Sequence, residues 1–114
     1  MRYIVDLHSH SGYAGGVGNI SLAGVAATMA RKGIDAFAVG DCLQPAWREK
    51  LGRILEEREP GLYALAGAEG TPGQARFVMQ TEVIFTSAVA SGGRKGTHTV
   101  LLFPNFRAVD AGIA

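Results

Sequence analysis

Short apolar runs closed by polar residues recur along the chain. The first, RYIVDL at 2–7, runs into the cluster Asp6, His8, Ser9 and His10. Such a run reads as a buried strand whose carboxyl end carries the polar groups. A Gly-rich loop, SGYAGGVGN, follows at 11–19. From Ser21 the period changes to that of a helix, with Leu22, Val25, Ala26 and Met29 on one face. Arg31 and Lys32 suit its negative C-terminal end, and Gly33 supplies a cap. IDAFAVG at 34–40 is a second apolar strand, ending at Asp41. Pro45 suits the first turn of a second helix, whose stripe is Trp47, Leu51, Ile54 and Leu55 and which Pro60 stops. LYALA at 62–66, ARFVMQTEVIF at 75–85 and HTVLLF at 98–103 read as further strands, separated by loops at 66–74 and 91–97. From Pro104 a loop enters another helix.

The order strand, helix, strand, helix predicts an α/β fold with parallel strands and helices outside. At 114 residues the chain makes one small domain, and an apolar fraction of 47% suits a folded protein. A net charge of +1 excludes a broad electrostatic footprint for nucleic acid or membrane, leaving room only for a local basic patch such as Arg94 and Lys95. The lone cysteine, Cys42, excludes an internal disulfide framework and fits a reducing compartment. No apolar run reaches the roughly 18–20 residues of a membrane span. Polar residues stand where a signal peptide would have its apolar core, so the expected location is the cytoplasm.

The candidate chemistry lies at strand ends. His8 and His10 are two residues apart just beyond the first strand, and alternate side chains of an extended backbone share a face. Both imidazoles can therefore converge on one ion, with Asp6 as a further ligand or as the group that orients one of them. Asp41 ends the second strand, Glu82 lies in TEV, and His98 opens the last strand. In a parallel α/β fold the carboxyl ends of strands gather at one rim, where active sites form. Mixed imidazole and carboxylate donors suit zinc or manganese, with magnesium admissible. Such ions acidify bound water and polarise phosphoryl oxygens, which points to metal-assisted hydrolysis. Gly15, Gly16 and Gly18 fit the dinucleotide fingerprint poorly, because Ser21 stands where its third glycine belongs. Trp47, at helical spacing with Leu51 and Ile54, is expected in the core rather than against a base.

DLHSHS at 6–11 resembles the opening motif of the PHP (polymerase and histidinol phosphatase) phosphoesterase superfamily. The series DLHSHSGYAGG, KGIDAFAVGD, Pro45 with Trp47, GLYAL, RFVMQTEV and HTVLLFP resembles its endonuclease Q-like branch in the family's order. The resemblance implies the N-terminal part of a distorted (β/α)7 barrel with a multinuclear metal centre. It also implies cleavage of a DNA phosphodiester beside a deaminated base such as uracil or hypoxanthine. By position, His8 and His10 would ligate one metal, Glu82 would bridge metals, and His98 would ligate another. Asp41 would be a ligand or hold the attacking water, which makes Asp41 and Glu82 the catalytic candidates.

The sequence departs from that pattern at Gln44, where the branch usually has a histidine. Cys42 stands nearby, where the wider superfamily often has its own histidine. The late Asp-x-His motif has no counterpart, and a parallel barrel typically needs 200 residues or more. Residues 1–114 are thus expected to be a partial domain, truncated before the last metal-binding motif. Its open edges would be covered by a missing C-terminal half or by self-association. The rival readings are a PHP phosphatase acting on a small phosphomonoester, and a non-catalytic metal- or nucleotide-binding module.

Overall fold

A computed structural model describes residues 2–13, 20–67 and 75–114. The described elements are β1 (Val5–Asp6), α1 (Leu22–Lys32), β2 (Ala36–Val39), α2 (Pro45–Ile54), β3 (Leu55–Glu59), β4 (Leu62–Leu65), β5 (Arg76–Ala88), β6 (Arg94–Phe103) and α3 (Phe106–Ile113). Most of the Gly-rich loop, including Gly15, Gly16 and Gly18, lies outside the described residues, so the fingerprint reading does too.

The helix termini follow local chemistry. Ser21 caps α1 by accepting from the Gly24 N–H, and Gly33 ends it in the left-handed conformation at φ 71°. Asn105 caps α3 by accepting from the Ala108 N–H at 2.9 Å. At α2 the cap is Gln44, whose Oε1 accepts from the Trp47 N–H at 2.7 Å, with Pro45 opening the helix.

The second helix does not run to Pro60. It ends at Ile54, and LEERE becomes β3, antiparallel to β4, with Leu55 opposite Leu65 and Glu57 opposite Tyr63. Pro60 and Gly61 turn the chain, and Gly61 takes φ 81° there. Helix propensity in EERE is overridden because Leu55 is buried in the core on the strand's inner face.

The sheet is mixed and open, which corrects the all-parallel expectation. Its order is β1-β2-β5-β4-β3, with β6 also on β5. Only β1–β2 and β2–β5 are parallel. Met79 pairs with Val39 of β2 and with Phe103 of β6, so β6 takes the edge of β5 opposite β2. The β5–β6 hairpin, paired from Met79–Phe103 to Ala88–Arg94, runs well beyond the end of β2. It gives the molecule an extent of 57 × 31 × 29 Å. Arg94 and Lys95 belong to β6 near its tip, not to a loop.

β1 is shorter and more exposed than a buried strand over 2–7. Only Val5 and Asp6 pair, and Tyr3, Ile4, Val5 and Leu7 are exposed because β2 is their one neighbour in the sheet. The core is elsewhere: Met29, Val39, Leu51, Phe77, Met79 and Val109 bring the three helices against the sheet. Trp47 is buried with them and donates its indole N–H to the Gly40 carbonyl at 3.0 Å. Among the described residues no helix is long and apolar enough to cross a membrane.

Candidate metal centre

The segment after β1 is held against the sheet by Ser9, the residue between its two histidines. Ser9 donates its hydroxyl to the Ala38 carbonyl at 2.5 Å and accepts from the Gly40 N–H at 3.1 Å. Its own N–H donates to Gln80 Oε1 at 3.1 Å. The approach is so close that a Cβ on Gly40 would run into the Ser9 carbonyl. With Ser9 pinned, His8 and His10 flank the contact and their rings meet edge to face at 5.3 Å.

Glu82 is the hub of the polar cluster. Its Oε2 lies 2.6 Å from His8 Nε2 and its Oε1 2.9 Å from His98 Nδ1. Its carboxyl is held below the ordinary value, first by the hydrogen bond with His98 and next by the field of His8, against some desolvation. Donor atoms of His8, His10 and Glu82 all lie within 4.8 Å of one another, which makes a triad able to hold a metal ion. Two imidazoles and a carboxylate fit a divalent transition ion or zinc.

His98 is placed by hairpin register rather than by a strand end. It pairs with Ile84 in mid-β6, and so lies diagonally across from Glu82 on the same face. Glu82 likewise lies within β5, three residues past Met79, where the pairing with β2 ends. The rim is therefore formed by the ends of β1 and β2, while β5 and β6 rise past it.

Asp41 stands one layer back. Its Oδ2 accepts from the Ser11 N–H at 2.6 Å and from the Ser11 hydroxyl at 2.8 Å, and its Oδ1 lies 3.4 Å from His10 Nδ1. Asp41 adopts φ 64°, a left-handed conformation uncommon for a residue with a side chain. This geometry turns the carboxylate onto Ser11 and His10, and the cluster of mutually close donors does not include it. Asp6 is also outside; its Oδ1 accepts from the His8 N–H at 3.3 Å. An open, largely apolar groove lined by Val5, Leu7, Val100 and Leu102, with Asp6, leads up to His8.

Comparison with known proteins gives two similar structures. One is endonuclease Q in complex with a 27-mer duplex substrate carrying an abasic lesion at the active site, at TM-score 0.69 and 22% identity over 96% of this chain. The other is the lesion-specific endonuclease PfuEndoQ from Pyrococcus furiosus, at TM-score 0.68 and 23% identity over 94% of this chain. The likeness is one of fold. This chain spans about a quarter of either structure, 24% of the first and 23% of the second. No protein-family model matches the sequence, and no curated protein does.

Gln44 and Cys42 each have a structural place. Gln44 caps α2, so its side-chain oxygen faces the helix N-terminus. Cys42 is fully buried within the hydrophobic core, and burial pushes its thiol up to about 12. Ser9, Ser11 and Gln80 make the hydrogen bonds that tie this segment to its neighbours, and sequence reasoning did not single them out. The available signal was parity: Gln80 interrupts the apolar run RFVM two residues before Glu82, hence on the same face.

Proposed function

We propose that this chain supplies one wall of the metal centre of a PHP-type phosphoesterase that cleaves DNA beside a damaged or deaminated base. The observation that carries the reading is the convergence of His8, His10 and His98 on Glu82 at one end of the sheet. The fold likeness to lesion-directed endonucleases supports the choice of substrate. His8 and His10 would hold one ion, with Glu82 shared between that ion and a second that His98 would help to hold. Asp41 acts through His10, as its bonds to Ser11 and His10 imply. A divalent ion there, zinc or manganese, would supply Lewis acidity toward a phosphoryl oxygen and acidify water.

The described donors that all lie within 4.8 Å of one another are three, so a fuller ligand set would draw on groups outside that cluster. A second reading, ion binding without hydrolysis, is favoured by that small set and by the quarter-length match.

Elemental analysis of the purified chain, beside His8→Ala and Glu82→Ala, tests the metal reading. We expect stoichiometric zinc or manganese in the wild type and at least a tenfold weaker hold in either variant. Undiminished metal in both variants would refute the site. Strand cleavage of duplexes carrying uracil, hypoxanthine or an abasic site, against turnover of a soluble phosphomonoester, then separates nuclease from phosphatase and from plain ion binding.

A further inference from the structure

Gln80 makes one side-chain contact that its surroundings do not otherwise demand. It is fully buried on β5, in a position where an apolar residue of its length would pack. Its Oε1 accepts from the Ser9 N–H at 3.1 Å, while its Nε2 is buried with no acceptor among the described residues. A half-paired buried amide is unfavourable relative to an apolar isostere, so packing does not account for it. What the amide does is grip one backbone N–H, and that N–H belongs to the residue between His8 and His10.

The geometry of β5 gives the grip its meaning. Gln80 and Glu82 project from the same face two residues apart. Glu82 meets His8 Nε2 at 2.6 Å, and Gln80 meets the backbone next to His8. One strand therefore holds both a donor of the triad and the peptide that carries the other two. The Ser9 hydroxyl completes the hold by bridging Ala38 and Gly40 on β2.

We infer that Gln80 is a positioning residue: its amide oxygen, gripping the Ser9 N–H, sets the spacing of His8 and His10 from Glu82 and so the affinity of the site for a divalent ion. The inference rests on the metal reading above for its affinity arm, and has a second arm free of it. Groups that orient ligands are typically worth roughly 10- to 100-fold in metal affinity.

The test uses the whole chain with Gln80→Met, which removes the acceptor at similar size, and Gln80→Glu, which restores an acceptor of the same shape. Cobalt(II) is the probe, followed by its visible absorption. Gln80→Met is expected to bind cobalt roughly 10- to 100-fold more weakly with an altered spectrum, and Gln80→Glu to recover most of the affinity. In the metal-free protein, amide hydrogen exchange read by NMR should show Ser9 losing protection in Gln80→Met while the β5 amides keep theirs. Should Gln80→Met not fold, Gln80→Glu and Ser9→Ala carry the test: protection of the Ser9 amide should persist in the first, and that of Gly40 should fall in the second. Wild-type cobalt affinity in Gln80→Met, or unchanged Ser9 exchange, would overturn the inference. If the wild type takes up no cobalt, the metal reading falls, and the exchange of Ser9 alone decides whether the grip exists.

Discussion

The two ends of β5 live in different surroundings. In its first half, Phe77 and Met79 are fully buried, and Phe77 has β2 on one side and β4 on the other. In its second half, Ile84 and Phe85 are 58% and 60% exposed, and among the described residues β6 alone pairs with them. Glu82 stands at the changeover. His8 and His10 reach it from the buried side, carried by a segment tied to β2 and β5 through Ser9. His98 reaches it from the exposed arm, placed only by hairpin register. The candidate centre thus joins a half fixed by packing to a half fixed by strand pairing, and the two should respond differently to perturbation.

The largest effect is expected at Gly40. Gly40→Ala forces a methyl into the Ser9 carbonyl, and backbone cannot step aside as a side-chain tip can. Overpacking of this kind should destabilise the chain by about 3 kcal/mol, read as a lower urea midpoint. A midpoint within error of the wild type would mean that Ser9 is not held against β2.

A smaller, pH-dependent effect is expected at Glu59, at the opposite end of the sheet from the candidate centre. Its carboxylate accepts from Arg76 Nε at 2.6 Å, and that bond holds the carboxyl below its ordinary 4.5. A depressed folded value favours the charged form, so this stabilisation is present above the ordinary value. It is lost as pH falls through the lower folded one. Urea midpoints at neutral pH and in acid should therefore fall less steeply for Glu59→Gln than for the wild type. Parallel slopes would show that the pair is already open in solution.

The smallest effect is expected on the arm. Phe85→Thr removes an exposed ring from the part of β5 that, among the described residues, pairs with β6 alone, so stability should change by no more than about 0.5 kcal/mol. A loss well above that would reveal that the arm is covered in solution, and sedimentation of the two proteins side by side would show by what.

How much of this was legible in the sequence follows from the range of the forces involved. α1 was readable because its caps, Ser21 and Gly33, and its apolar period are all local. The end of α2 was not, because EERE favours a helix and only the pairing of Leu55 with Leu65 makes it a strand. His8, His10 and Glu82 were named as candidate donors from residue type, with strand parity for the two histidines, and the fold brings the three together. His98 was named as a candidate at a strand end, but it sits in mid-β6, since its position depends on a hairpin register that no local pattern fixes. Asp41 was named for chemistry from its place at a strand end, and its contacts with Ser11 across the rim depend on a fold that no local pattern fixes. Ser9 and Gln80 look like ordinary polar residues until a contact 71 positions apart brings them together.

The chain has a single tryptophan, and the fold puts it to optical use. Trp47 is buried, and its indole N–H is hydrogen-bonded to the carbonyl of Gly40, the same residue whose N–H meets the Ser9 hydroxyl. Opening of the segment around Ser9 would wet that indole and shift its emission to longer wavelength. The protein therefore carries its own fluorophore one peptide away from the contact that orders its histidines, and needs no label for that contact to be followed in real time.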